Sequence, residues 1–255
     1  MPEGDTIWQT ARRLHEALAG KVLTRSDFRV PRLATADLAG DVVTETVPRG
    51  KHLLTRTTSG LTVHTHLKME GNWRIRPASE RIRDSHRIRL LLANEECQAI
   101  GYQLGVVELL RTSQEARVVG HLGPDLLGPD WDTAEAVKRL RVQPDRPIGE
   151  ALLDQRNLAG IGNVYKAEVL FLRGVNPWLA VGGVDDLDAM AELARRLLAA
   201  NKERFGHVTT GSTRRGEENW VYGRRGRPCR RCGTLIRSAG QDDRVTFWCP
   251  SCQPG

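Results

Sequence analysis

The sequence predicts an α+β protein: an N-terminal β-sandwich with an amphipathic helix, a helical C-terminal domain, and a cysteine-bearing β-hairpin at the end. Three observations carry this. Ile7, Ala11, Leu14 and Leu18 recur at helical spacing before Gly20 stops the run; short β-rich segments fill residues 21–111; and helical periodicity takes over beyond residue 132.

The first helix starts behind the polar stretch Glu3-Gly4-Asp5-Thr6 and ends at Gly20. The β segments are Asp41 to Val47, His52 to Thr57, Leu61 to Leu67, Asn72 to Arg76, Arg87 to Leu92 and Val106 to Leu110, separated by Gly, Pro or Asn. After the loop Gly123-Pro124-Asp125-Leu126-Leu127-Gly128-Pro129-Asp130 come helices over Thr133 to Arg141, Ile148 to Leu158, Val164 to Arg173 and Asp186 to Glu203. A Gly- and Arg-rich connector, about Gly206 to Pro228, leads into the hairpin.

At 255 residues the chain is long enough for two modest domains with their own cores. Its longest apolar stretches, such as Leu90 to Ala93, fall far short of the roughly 20 residues that span a bilayer, and no export signal is visible, so a cytoplasmic location is expected. The net charge of +7 is concentrated at one end: residues 201–255 hold 11 Lys or Arg against 5 Asp or Glu. Arg224, Arg225, Arg227, Arg230 and Arg231 cluster there with no acid among them, which suits a polyanion or, equally, a solvated charged face.

Cys229, Cys232, Cys249 and Cys252 form C-x2-C-x16-C-x2-C. Each C-x2-C turn presents two thiolates to one tetrahedral ion, the pattern of a structural zinc site, and the spacer accommodates a hairpin. Two disulfides are the alternative, disfavoured where thiols stay reduced. Cys97 reads as a buried thiol. The domains expected are 1–122 for the sandwich, 123–131 for a linker, 132–222 for the helical domain and 223–255 for the zinc finger.

Pro2 carries chemistry only if Met1 is removed, leaving a secondary amine that titrates near pH 8; such an amine attacks a sugar C1′ to give an iminium electron sink, and Glu3 beside it can shuttle protons. By itself Pro2-Glu3 is an ordinary chain start. The segment Ile148 to Trp178 reads as a helical hairpin whose turn, Ala159-Gly160-Ile161-Gly162-Asn163, offers backbone N–H groups and the Asn163 amide to a phosphate; a plain C-capped hairpin fits too.

Motifs along the whole chain resemble the formamidopyrimidine-DNA glycosylase and endonuclease VIII superfamily. They are Met1-Pro2-Glu3-Gly4, Pro48-Arg49-Gly50-Lys51, His66-Leu67-Lys68-Met69-Glu70-Gly71, Gly123-Pro124-Asp125-Leu126-Leu127, Leu152-Leu153-Asp154-Gln155 through Gly160-Ile161-Gly162-Asn163, and Phe247-Trp248-Cys249-Pro250-Ser251-Cys252-Gln253. The resemblance implies a helix-two-turn-helix in the helical domain and a bifunctional glycosylase and abasic-site lyase acting on damaged double-stranded DNA. It implies Pro2 as the Schiff-base nucleophile, Glu3 as the assisting acid, Lys51 as the DNA-binding proton donor in β-elimination, and Arg244 as the finger arginine of δ-elimination. Lys68, Met69, His121 and Asn163 are implied at the DNA, with Met69 as a wedge beside the extruded nucleotide, Asn163 on a phosphate, and His121 where an arginine is usual. One structural zinc ion per chain and a monomer are expected.

Gly4 in place of a Leu-Pro-Glu start, and the lack of an Arg and a Phe in Ala99 to Gly105, favour the endonuclease VIII branch and oxidised pyrimidines over formamidopyrimidine or 8-oxoguanine. Asp5-Thr6 stands where a second carboxylate is usual. A zinc nucleobase deaminase is excluded because no H-x-E accompanies Pro228-Cys229-Arg230-Arg231-Cys232; a non-catalytic zinc-ribbon DNA-binding protein stays open. His64 and His66, alternating on one strand face, are read as strand packing or hydrogen bonding.

Overall fold

The computed structural model describes residues 2–204 and 206–255. It divides into two compact units, one of Pro2 with Thr6–His121 and one of Glu3–Asp5 with Leu122–Gly255.

The first unit contains most of helix α1 (Gly4–Leu18) and eight strands: β1 (Arg25–Phe28), β2 (Val43–Arg49), β3 (His52–Thr57), β4 (Leu61–His66), β5 (Asn72–Pro77), β6 (Ile88–Ala93), β7 (Cys97–Tyr102) and β8 (Val106–Arg111), then the short helix α2 (Ala116–Val119). The strands form two antiparallel four-stranded sheets, ordered β1-β6-β7-β5 and β2-β3-β4-β8. The α1 residues Ile7, Ala11, Leu14 and Leu18 are buried with Leu53 and Val63 of one sheet and Leu90, Leu92 and Ala99 of the other, which is the sandwich core the helical spacing required.

Two strands were not expected. The residues of β1, Arg-Ser-Asp-Phe, lack apolar alternation and lie at a sheet edge, paired only with β6. In β7 the apolar run Ala99-Ile100 is broken by Gly101, yet the strand lies between β6 and β5. Gly101 is tolerated there because a Cβ would meet Leu104 Cδ1 at 2.4 Å, so the position demands the smallest residue. Cys97, expected to be buried, is half-exposed, with its thiol directed at the Ala17 carbonyl 3.4 Å away.

The second unit holds α3 (Thr133–Leu140), α4 (Ile148–Leu153), α5 (Asn163–Arg173), α6 (Leu187–Asn201) and the hairpin β9 (Arg237–Gln241) and β10 (Arg244–Trp248). Asp132 and Asp186 cap α3 and α6 by accepting from Glu135 and Ala189 backbone N–H groups, and α5 ends at Gly174 with φ +68°. Helix α4 stops at Leu153, five residues short of the expected Leu158. The Asp154 carboxylate accepts from the Arg156 backbone N–H at 3.0 Å and from the Arg146 and Arg156 guanidinium groups, and this local turn displaces the next helical hydrogen bonds. Leu140, Ile148, Leu152, Tyr165, Val169, Met190 and Leu198 fill one core; Ala167, Phe171, Val221 and Ile236 form a second around Cys229 and Cys249.

Candidate active site and metal centre

Glu3 is fully buried within the second unit, and its carboxylate is received by the start of α5. The Gly162 N–H donates to Oε2 at 2.7 Å, the Val164 N–H to Oε1 at 2.8 Å, and the Tyr165 N–H approaches Oε2 at 3.5 Å. A helix start leaves N–H groups without intrahelical partners and carries positive partial charge, so a carboxylate is the natural occupant. The turn expected to offer its N–H groups to a phosphate therefore gives that of Gly162 to Glu3, and the first turn of α5 adds those of Val164 and Tyr165. Gly162 has no alternative: a Cβ there would meet Glu3 Cδ at 2.4 Å. Gly4 also lies close, its N–H donating to the Gly160 carbonyl at 2.8 Å, and a Cβ on Gly4 would meet Gly160 Cα at 3.1 Å.

Asp5, fully buried, accepts from the Tyr165 hydroxyl at 2.5 Å and pairs with His207 Nδ1 at 2.9 Å. Burial pulls the His207 imidazolium down, but its hydrogen bond to Asp5 and the charges of Asp5 and Glu3 outweigh that, and its pKa is raised above 6.5. Neither Tyr165 nor His207 was singled out in the sequence, since a lone Tyr and a lone His carry no motif.

Arg244 opens β10 directly after the Asp242-Asp243 turn, opposite Gln241, and ion-pairs with Asp243 at 3.2 Å. Helix α5 grips this strand at two points one turn apart. Asn163 Nδ2 donates to the Val245 carbonyl at 2.8 Å, and the buried Lys166 Nζ donates to Thr246 Oγ1 at 2.6 Å, whose hydroxyl continues to Gln241 Oε1 at 2.9 Å. Burial, opposed by Glu3 and reinforced by Arg244, lowers the Lys166 ammonium to about 8. Asn163 is thus a hairpin anchor, with its Oδ1 buried and without a partner among the described residues.

The four sulfurs of Cys229, Cys232, Cys249 and Cys252 lie within 4.8 Å of one another, with Cys229 to Cys252 at 3.9 Å and Cys232 to Cys249 at 3.5 Å. All four are free thiols, so the disulfide alternative falls. Tetrahedral zinc with Zn–S near 2.3 Å needs S···S separations of roughly 3.8 Å, which this cluster matches. Of the five clustered arginines, Arg224 donates to the Pro228 carbonyl at 2.9 Å, Arg230 to the Gly216 carbonyl at 2.6 Å, and Arg231 lies 4.6 Å from the Phe171 ring centroid. Arg225 and Arg227 are exposed.

In the first unit, Lys51 occupies the turn joining β2 and β3. Lys68 and Met69 occupy the turn after β4: Lys68 adopts φ +54°, its N–H donates to His66 Nδ1 at 2.9 Å, and Met69 is 58% exposed. At that exposure Met69 is not part of the sandwich core. Gly71 closes the turn on the Leu67 carbonyl at 2.9 Å, where a Cβ would come within 2.4 Å of that oxygen. His121 is exposed, its ring 6.3 Å from that of His52, and Pro2 is half-buried.

A two-sheet sandwich, a helical unit whose α5 start receives the chain-start carboxylate, and a four-thiol hairpin together define a DNA-repair glycosylase architecture. The chain belongs to the formamidopyrimidine-DNA glycosylase and endonuclease VIII family. Residues 1–101 match the formamidopyrimidine-DNA glycosylase N-terminal domain, residues 122–197 its H2TH domain, and residues 226–255 the zinc finger found in FPG and IleRS. The probable endonuclease 8 2 of Streptomyces coelicolor is 57% identical, with 100% of this chain and 95% of that protein covered. The DNA-(apurinic or apyrimidinic site) lyase Nei2 of Mycolicibacterium smegmatis is 51% identical over 99% of each. Among solved structures, MutM in complex with DNA containing carbocyclic 8-oxo-G superposes with a TM-score of 0.85 at 25% identity, covering both chains fully.

The seat of Glu3 predicts that Gly162→Ala destabilises the fold by about 1–3 kcal/mol, the usual cost of overpacking a filled interior. Urea unfolding reads this directly, and an unchanged midpoint would contradict the contact. Because the folded-state pKa of His207 is raised, its pairing with Asp5 stabilises fully below about pH 6.5 and is lost as pH rises through the folded value. Stability measured across that window should fall more steeply in the wild type than in His207→Gln; parallel curves would remove His207 from the linkage.

Proposed function

We propose that this protein is a DNA glycosylase with abasic-site lyase activity in base-excision repair, removing oxidised bases and, among them, pyrimidines. The supporting observation is the seat of Glu3. Three backbone N–H groups orient its carboxylate, and the peptide bond ties Pro2 to that fixed point.

The chemistry starts with Met1, which lies outside the described residues, removed. The Pro2 amine, partly unprotonated near neutral pH, forms a bond to C1′ as the glycosidic bond breaks and its electron pair leaves on the base. Glu3 moves the proton that the departing base or opening sugar ring requires. The resulting iminium draws electrons from the C2′–H bond, so that C3′–O breaks and the phosphate leaves with its pair; loss of the second phosphate at C5′ follows, and water releases Pro2. Lys51 supplies a proton to the first leaving phosphate, and Arg244 grips phosphate in the second elimination.

Lys68 and His121 contact the DNA backbone, and Met69 wedges into the gap left by the extruded nucleotide. Asn163, held at the Val245 carbonyl and hydrogen-bonded to the Tyr222 side chain, serves a phosphate from the start of α5. Pyrimidine preference is supported by the turn Gln103-Leu104-Gly105, which has no Arg or Phe to fill the space beside an orphaned base. Cys229, Cys232, Cys249 and Cys252 would hold one zinc ion, whose role would be to order the hairpin carrying Arg244. The protein acts as a monomer in the cytoplasm.

Borohydride should trap the protein on duplexes containing thymine glycol, dihydrouracil or an abasic site, and blocking the terminal amine should abolish the adduct. Trapping that survives the block would displace Pro2, and faster nicking of 8-oxoguanine than of either pyrimidine would reverse the base preference. Zinc stoichiometry by elemental analysis should be one per chain, and Cys249→Ser should weaken DNA binding while the free amine keeps its reactivity toward a small aldehyde. Wild-type DNA affinity in that variant would contradict a zinc-ordered hairpin.

A further inference from the structure

Three side chains on one face of the β2-β3-β4-β8 sheet are linked end to end. His64 Nδ1 lies 2.8 Å from Glu108 Oε2, its register partner on β8, and His52 Nδ1 lies 2.8 Å from His64 Nε2. Leu53 and Val63 point into the sandwich core, so strand alternation sends His52 and His64 to the opposite face. The His64 side chain is only 4% exposed, whereas that of Glu108 is 50% exposed.

The partners determine where the protons are. A carboxylate only accepts, so His64 carries its proton on Nδ1; neutral His64 then has its lone pair on Nε2 and receives the Nδ1–H of His52. That leaves the lone pair of His52 on Nε2, at the end of the chain away from Glu108, on the residue following Lys51. Beside it stand His66, with ring centroids 4.9 Å apart, Lys68, and His121 at 6.3 Å, while Glu115 faces His64 and Lys51 faces His66. Burial, and then the neighbouring His66, His64, His121 and Lys68, lowers His52 to about 3, which keeps its ring neutral near pH 7.

We propose that Glu108, His64 and His52 form a proton-accepting chain that takes up the proton released when the strand is nicked and returns it to Lys51. The inference rests on the lyase reading given above. Breaking C2′–H places its electron pair in the new C=C bond as C3′–O breaks and its pair leaves on phosphate. The C2′ proton goes to His52 Nε2, the His52 Nδ1 proton goes to His64 Nε2, and the Glu108 carboxylate neutralises the resulting imidazolium. Lys51, having given a proton to the leaving phosphate, is reloaded by the reverse transfer, and both groups end as they began. His52 is the catalytic member; His64 and Glu108 act through it as positioning residues.

A preformed abasic duplex separates the steps, because borohydride trapping reports the Schiff base and single-turnover nicking reports the elimination. His64→Phe should trap within about twofold of wild type and nick about tenfold or more slowly, in the range of general acid–base contributions. Glu108→Gln, at a half-exposed position, should trap normally while the acid limb of its nicking rate moves to lower pH, since the imidazolium loses its counter-charge. If either variant traps normally and nicks with the wild-type rate and pH profile, the chain has no role. Should His64→Phe lose trapping as well, the fold has been disturbed and Glu108→Gln decides. A wild-type protein that never traps overturns the lyase reading itself, a result separate from either variant's.

Discussion

The constraint on which the second unit depends is the occupation of the α5 start by Glu3. An isolated carboxylate is costly to bury, and this one is fully buried with three backbone N–H groups directed at it. Backbone N–H groups and the helix dipole do the compensating. Satisfying them requires the chain start to come close, and that explains three glycines at once: Gly162 leaves room for the carboxylate, Gly4 lets its backbone approach Gly160, and Gly160, at φ +103°, turns its carbonyl toward the Gly4 N–H. An anion site filled from within is closed to phosphate at Gly162 and Val164.

The same helix organises the rest of the unit. Its start fixes Glu3; Asn163 and Lys166 hold β10; Ala167 and Phe171 pack beneath Cys229 and Cys249; and Glu168, buried, accepts from the backbone of Trp220, Val221 and Tyr222 and from the Thr209 hydroxyl. Residues three and four apart share a helix face, so one short helix sets the chain start, the hairpin and the connecting loop in a common frame. Arg244 inherits its position from this frame. The four cysteines cluster at the hairpin's base, and α5 holds β10 near its tip.

Much of the fold was legible because periodicity and spacing are local. The α1 face, six of the eight sandwich strands and the four thiols were readable from residue types alone. What escaped depended on partners distant in sequence. The edge strand β1 has no apolar pattern because only β6 pairs with it, and α4 ends early because Arg146 and Arg156 converge on Asp154. The motifs singled out Pro2, Glu3, Lys51 and Arg244 as candidates, but not what holds them. Tyr165 and His207 meet Asp5 across about 160 and 202 residues, and Glu108 joins His64 across 44. Single residues at such separations leave no trace in a one-dimensional pattern.

The basic tail shows how composition and contact differ. Its arginines suit a polyanion or, equally, a solvated charged face, yet Arg224 and Arg230 donate to backbone carbonyls and Arg231 lies against Phe171. Guanidinium groups so engaged keep their charge, and the field that steers a polyanion toward the surface depends on charge rather than on free donors. Direct phosphate contacts are a different quantity, because each one neutralised releases counterions and steepens the salt dependence of binding. Counting the arginines therefore overstates the free donors while stating the charge correctly: the engaged ones hold the loop around the four thiols.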